Sequence, residues 1–496
     1  MTSWDRGYVT DVAYFTAYHH DLAPINHYHL CLLHHIQPPP LDRPFVHLDL
    51  GCADAFTNVL LAAANPHGQF YAVDFNPTHI ATGQHLARRS GVDNIAFLEA
   101  GFEDLADLDL PPVDFATSYG VFTWIDPALW PDLVTQIGRL LKPGGTFFTS
   151  YNTLPGWLDA IPLQRLLFEY AARHPNPRQR GKAAIAALMK LKNVGGLFFK
   201  QNPKAAERLG YLASRDLSYL AHEYLNRHWN PLHQVDMDAL LAAAKLTRVG
   251  SLQMAGNFPH WLLSPDMAKA LELFPDGLQE TALDLLLNHG FRRDLYIKGA
   301  AVLSPPSQKA LLGALRVALA VVPEEVDYAT RSPLGPQPLD RQHYQPLVTA
   351  LADGPLSLEA LAQRLDRPWA EVVDGVNRLV DGQQLHLLQP APLAHVAALE
   401  RFNAQVLKDP QYHHQTLALA APEMGAGIAT RPLELTLLAA APDDPDLITH
   451  LRGQRLWLTE DGQFPTTSQD QDQIIARFIH QFQRRRRPVF RQLGVV

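Results

Sequence analysis

Apolar and polar positions in residues 45–157 fall into alternating blocks of two kinds. FVHLDL, residues 45–50, is a near-continuous apolar run, the pattern of a strand buried on both faces. The chain then turns at Asp49-Leu50-Gly51, and helical spacing from about Phe56 to Ala64 is stopped by Asn65-Pro66-His67-Gly68. QFYAV follows as a second strand and delivers Asp74 at its carboxyl end. The alternation continues with a helix from Pro77 to Ser90, the strand NIAFLEA and a short acidic helix from Phe102 to Asp107. The strand VDFATSY, a helix near Pro127 to Leu141 and the strand GTFFTSY complete it. Such alternation predicts an α/β fold with a parallel sheet and right-handed crossovers.

The flanking segments are patterned differently. Residues 8–36 carry apolar positions at helical spacing, predicting one or two helices with Pro24 near a break. Residues 158–217 read as amphipathic helices, made mildly basic by Lys182, Lys190 and Lys192; a solvated face is the plainer reading and a lid or docking surface the sharper one. VDMDALLAAAKLTRVGSLQ predicts a helix and then a strand, and DLYIKGAAVLS a further strand. These would be the last strands of the sheet, making 158–217 an insertion over the site. A helix is expected over 308–322, followed by the proline-rich link SPLGPQPLDR. Residues 344–388 run helix, helix, helix, short strand, the order of a winged helix. Its third helix carries Glu371, Asp374 and Asp381 against Arg378, which opposes phosphate contact and favours a protein-contact role. Expected domains are 1–157, 158–303, 304–390 and 391–496.

Composition adds limits. A chain of 496 residues exceeds one ordinary core. Net charge is -8, so nothing points to nucleic acid; the Arg484–Arg487 run reads as a solvated helix end. With only Cys31 and Cys52, neither a disulfide framework nor a cysteine zinc site is expected. The histidines of residues 19–35 are irregularly spaced, and no metal is expected. A polar N-terminus and no apolar run near twenty residues predict a cytoplasmic protein without stable membrane insertion.

The candidate chemistry lies in the first strand–helix–strand unit. Ligands of such units sit outside the carboxyl ends of the strands, and Asp74, 23 residues after Gly51, suits a pair of ribose hydroxyls. The G-x-G-x-x-G of dinucleotide folds is absent. The loop instead reads Asp49-Leu50-Gly51-Cys52-Ala53-Asp54-Ala55, whose leading carboxylate would repel a diphosphate and accept from an ammonium group. S-adenosylmethionine has that ammonium and no phosphate.

LDLGCADA resembles the first motif of class I S-adenosylmethionine-dependent methyltransferases, VDFNP the second, and LKPGGTFFTSYN the junction into strand five. Ala53 and Ala55 replace two glycines of the usual D-x-G-x-G-x-G. SYNTLPGW, YLAHEYLN with HWNPL, and LNHGFRRDLYIKG resemble a bacterial subgroup with a methyltransferase regulatory domain. That subgroup includes rickettsial lysine methyltransferases of outer-membrane proteins. The resemblance implies a Rossmann-like sheet with a helical insertion, here followed by the winged-helix-like α+β region. It implies cofactor contacts from Asp49, Gly51, Cys52, Ala53, Asp74, Phe75, Gly101, Phe102, Tyr119 and Gly120, with Glu103 a further candidate for adenine. Tyr119, Trp124, Tyr151 and Asn152 are the candidates for orienting the acceptor, and Tyr8 and Tyr14 are placed near the methionine end. His222, Glu223, Tyr224, Asn226 and His228 would approach the substrate. The leading expectation is a protein lysine N-methyltransferase, acting on an outer-membrane protein before export. A small-molecule or peptide natural-product methyltransferase and a weakly active cofactor-binding scaffold stand beside it. The accessory regions are equally suited to homodimer contacts.

Overall fold

The structure, a computed structural model, describes residues 7–10, 15–176, 179–215, 217–330, 332–391, 397–414, 416–440, 447–453 and 468–495. Its centre is a seven-stranded sheet of β1 (Phe45–Leu50), β2 (Gly68–Asp74), β3 (Ile95–Glu99), β4 (Val113–Tyr119), β5 (Leu141–Asn152), β6 (Leu246–Ser251) and β7 (Phe291–Lys298). The spatial order is β3-β2-β1-β4-β5-β7-β6. β1 to β5 pair in parallel, while β7 runs antiparallel to both β5 and β6. Strand order reverses between β1 and β4, which opens a crevice beyond their carboxyl ends.

The helices Phe56–Ala64 and Pro77–Ser90 form where expected. In the N-terminal region Pro24 does mark a break: a short turn of helix, His20–Leu22, ends at the extended Ala23, and Pro24 begins the helix Pro24–Leu33, where a proline removes only an amide that has no partner. β5 starts at Leu141, ahead of the GTFFTSY core. Between β5 and β6, the helices Ile161–Ala172, Arg180–Asn193, Leu197–Gln201, Pro203–Ala213 and Leu217–Tyr224 pack around their own core of Leu163, Leu167, Leu188, Leu209 and Leu212.

Residues 308–322 do not form one helix. Pro305–Ala314 is helical, but Arg316–Leu319 is the middle strand of a small antiparallel sheet, paired with Leu356–Ser357 and Leu385–Leu388. Cross-strand burial of Val317 outweighs its local helical setting. The helices Arg341–Ala350, Leu358–Leu365 and Trp369–Asp381 pack beside this sheet, whose middle strand precedes them in the chain and whose strand Leu385–Leu388 follows them. Two of the three acids of the last helix bind other parts of the chain, while Glu371 stays exposed: Asp374 accepts from Trp261 Nε1 at 3.0 Å and Asp381 from the Ala255 amide at 3.1 Å.

The hairpin Leu417–Ala421/Ala426–Thr430 carries no alternation, being buried on both faces. It covers Phe56–Ala64, every residue of which is buried. Phe402 and Tyr412 pack on Phe56 with their rings tilted, and Asn65 donates to the Gly425 carbonyl at 2.7 Å. The arginine run is not a free helix end. Arg485 pairs with Glu325, and Arg486 binds Glu434 and the carbonyls of Ala320 and Ala429.

Three histidines are enclosed in this core. Burial pushes His27 down to about 3 and His29 and His47 down to about 4. Each is neutral when folded but takes a proton below about pH 6.5 once unfolded. Stability is therefore complete above pH 6.5 and is lost as pH falls toward 4, by on the order of 1–2 kcal/mol per histidine near pH 5. Asp49 and Glu223 are shifted upward and offset part of this. The thermal midpoint is expected to drop by several degrees between pH 6.5 and 5; a flat profile there would contradict the assignment.

Candidate active site

Beyond the carboxyl ends of β1 and β4 lies a cavity of about 870 Å³. Its floor is the loop after β1. Gly51 adopts φ +83°, and both its amide and that of Cys52 donate to the Val73 carbonyl, at 2.8 and 3.0 Å. A Cβ on Gly51 would stand 2.6 Å from Val121 Cγ2. Gly51→Ala is accordingly expected to weaken S-adenosylhomocysteine binding at least tenfold by calorimetry, since both the turn and its packing must shift. Ala53 and Ala55 also lie in the left-handed region, at φ +49° and +55°, so the alanines replacing glycines here are strained rather than misplaced.

Two carboxylates organise this floor. Asp49, on β1, accepts from Thr117 Oγ1 at 2.7 Å and Asn58 Nδ2 at 3.0 Å. Burial pushes it up to about 6 against those two bonds, and Asp74 adds to the rise. Among the described residues no lysine, arginine or histidine pairs with Asp49. Asp74 Oδ2 accepts from the Ala53 amide at 2.9 Å, and Oδ1 from the Asn76 amide at 2.9 Å with His79 Nδ1 at 3.2 Å. Acceptor capacity remains on Oδ2. At the third strand's end, Gly101 and Phe102 line the cavity, with Glu103 folded back over Gly101.

The walls and roof come from three places. From the end of β4 and the turn after it come Tyr119, Gly120 and Trp124. His19 stacks on Tyr119 at 3.8 Å between ring centroids, so one face of that ring is already covered. A strap of residues 7–10 and 15–22 crosses the mouth. The Val9 amide donates to Asn226 Oδ1 at 2.8 Å, the Arg227 amide to the Gly7 carbonyl at 2.9 Å, and the His19 amide to Thr57 Oγ1 at 3.0 Å. Tyr14 lies outside the described residues. The insertion adds Trp157, Tyr219, His222, Glu223 and His228.

Of the residues expected here, Asp49, Gly51, Cys52, Ala53, Asp74, Phe75, Gly101, Phe102, Tyr119, Gly120, Trp124 and Asn152 border the cavity. Tyr151 does not. Successive side chains of a strand point to opposite faces, so Tyr151 and Asn152 cannot both face the cavity. Tyr151 is fully buried and donates to Asp294 Oδ2 on β7 at 2.9 Å. Asn152 is only 4% exposed, and its amide nitrogen has no partner among the described residues. Tyr224 and Asn226 likewise fall behind the lining: Asn226 holds the strap and Tyr224 packs on Trp157. Phe15, His19, Asp54 and Asn58 also line the cavity without having been singled out. Asp54 lies in the loop itself and Asn58 within one helical turn of it, positions that could have flagged them. Nothing local marks His19.

The SYNTLPGW and LNHGFRRDLYIKG segments meet. A Cβ on Gly156 would lie 2.4 Å from Gly290 Cα, and Trp157 Nε1 donates to the Gly290 carbonyl at 2.5 Å. Behind them Arg292 binds Asp284, Asp294 and Glu280, and Arg248 joins Asp294 and Glu280.

The electrostatics of the cavity are one-sided. Its lining includes eight carboxylates, Asp49, Asp54, Asp74, Glu99, Glu103, Asp104, Asp126 and Glu223, and no lysine or arginine among the described residues. Such a lining admits cations and repels phosphates. An adenosyl group bearing an ammonium and a sulfonium fits it: Asp49 lacks a cation and Asp74 keeps acceptor capacity.

Comparison with known proteins agrees. A family model described as a methyltransferase domain matches residues 48–145, and one described as a predicted methyltransferase regulatory domain matches residues 216–298. An uncharacterized protein of Synechocystis sp. is 30% identical over 504 residues, spanning 99% of this chain and 100% of its own. An uncharacterized protein of Rickettsia prowazekii is 25% identical over 293 residues, 54% of this chain and 49% of its own. The solved structure of PKMT2 from Rickettsia typhi in complex with AdoHcy shares the fold, with a TM-score of 0.69 at 17% identity over 94% of this chain and 97% of that one.

Proposed function

Because the chain belongs to the class I S-adenosylmethionine-dependent methyltransferases that carry a methyltransferase regulatory domain, we propose that it methylates the side-chain amine of lysines in a protein substrate. The observation that carries this reading is the cavity lining, acidic and aromatic with no lysine or arginine among its described residues. An acceptor that arrives as an ammonium is drawn to it, whereas a phosphorylated or carboxylate acceptor is repelled. The sequence resemblance to rickettsial outer-membrane protein methyltransferases supports the same choice, with such a protein before export as the substrate class.

S-adenosylmethionine, when bound, supplies an electrophilic methyl carbon on a sulfonium. In this chain Asp49 and the Gly51–Ala53 loop would hold its amino-acid part, Asp74 the ribose, and Gly101, Phe102 and Glu103 the adenine. Tyr119, Trp124 and the strap residue Tyr8 exclude water from the reacting end. Asn152 offers an amide donor with which to orient the acceptor.

The test uses tritium-labelled cofactor and a bacterial lysate. The expected result is label in protein bands, released on acid hydrolysis as methylated lysine. Label in the small-molecule fraction would assign a metabolite or peptide natural product instead. Cofactor binding without any transfer would leave a cofactor-binding scaffold.

A further inference from the structure

We propose that Glu223 seats the ammonium of the acceptor and takes its proton before methyl transfer; this deepens the amine reading above and rests on it. Glu223 comes from the last helix of the insertion, Leu217–Tyr224, and lines the cavity from its roof. Among the described residues it has neither a hydrogen bond nor an ion-pair partner, so its carboxylate is uncommitted. Four phenols feel its charge: Tyr8 of the strap, Tyr119 at the end of β4, and Tyr219 and Tyr224 on its own helix. Tyr8 feels the charge of both Asp74 and Glu223 and lines the cavity with them.

The chemistry requires such a group. A lysine amine is almost wholly protonated at neutral pH, with an ordinary value near 10.4, and only the neutral form has the lone pair to attack. Burial pushes Glu223 up to about 7. All four phenols are held above their usual range, so none of them titrates alongside it. Other ionisable groups on the cavity lining are His222, which packs on Tyr8 at 5.8 Å between ring centroids, and the His228–Asp126 pair at 3.8 Å; Arg208 and Asp159 act on Tyr224, and Asp21 and Arg293 on Tyr119. An ammonium entering beside Glu223 forms a charged pair in a low-polarity enclosure. Desolvation of both charges favours the neutral acid and neutral amine. The proton moves from nitrogen to a Glu223 oxygen. The nitrogen lone pair then forms the bond to the methyl carbon as the carbon–sulfur bond breaks, its electrons staying on sulfur. The product amine is again a cation, and the proton on Glu223 leaves to water.

Poly-L-lysine with tritium-labelled cofactor is the probe, with calorimetry of S-adenosylhomocysteine binding as the second readout. Wild-type protein is expected to label the polymer with a rate that rises through about pH 7. Glu223→Gln should lose at least 100-fold in kcat/KM and lose that limb, yet bind S-adenosylhomocysteine within threefold of wild type. Glu223→Asp should recover part of the rate with the limb present, and His222→Gln should keep the limb. A Glu223→Gln variant that retains rate and limb overturns the proposal while leaving the amine reading intact, as does loss of the limb in His222→Gln alone. A wild-type protein that binds S-adenosylhomocysteine but never labels the polymer removes the amine reading, and Glu223's role with it.

Discussion

Asp294→Ala is expected to lower the free energy of unfolding by about 3–5 kcal/mol, the usual cost of stranding a buried charge. Asp294 lies on β7 and is wholly inaccessible to solvent. Its carboxylate receives Arg292 Nη1 at 3.1 Å, Arg248 Nη2 at 3.2 Å and the Tyr151 hydroxyl at 2.9 Å. Burial opposes its charge, yet the two guanidinium groups and the hydroxyl hold its carboxyl below the usual range. Alanine would leave two buried cations short of a counter-charge and a phenol without an acceptor. Asp294→Asn keeps the hydrogen-bond acceptor and should cost less. Denaturant midpoints for the two variants measure this: equal midpoints would show that the charge carries the whole effect, and an Asp294→Asn midpoint as high as wild type would show that the charge is not what matters. The sign with pH follows from the lowered value: the contribution is full above about pH 4 and fades as the solution is acidified through the folded-state value. The same ion network braces Gly290 and the Gly156–Trp157 turn, so loss of cofactor turnover should track loss of fold.

Asp49→Asn should separate the two properties. The wild-type carboxyl, pushed up to about 6 by burial, is raised above its unfolded value, so its ionisation costs stability as pH climbs from about 4 to 6. Removing the charge should therefore leave the melting midpoint unchanged or raised at pH 7.5. Affinity for S-adenosylhomocysteine should fall by about 100-fold, because a buried charge-assisted contact to the ligand ammonium is lost. In wild type that affinity should also weaken as pH drops through about 6, and the dependence should vanish in the variant. Calorimetry across pH decides it; an Asn variant that binds as tightly as wild type would refute the ammonium assignment.

The parts that could be read from the chain alone are those whose determinants are local. β1, its turn and Phe56–Ala64 each combine a periodic pattern with its own stop signal, and Asp49, Gly51 and Asp74 fall on them. Tyr151 misled because it adjoins Asn152 in the chain while strand geometry sends the two to opposite faces. Arg316–Leu319 is a strand only because distant strands pair with it, while the strands of the 417–430 hairpin pair with each other and were hidden by burial that erases the alternation. The roof was harder still: His19 meets Tyr119, and Val9 meets Asn226, across separations that no window of sequence spans.

The helix Phe56–Ala64 has a consequence for biosynthesis. Its outward face is sealed by residues 399–430, more than 300 positions further along the chain. While the ribosome is still making the middle of the protein, the cofactor loop has a helix behind it with one apolar side bare. The catalytic floor therefore reaches its final form only after nearly the whole chain has emerged. Activity becomes a property of complete molecules, and a nascent chain cut short before its last hundred residues carries a methyltransferase sequence without a finished methyltransferase site.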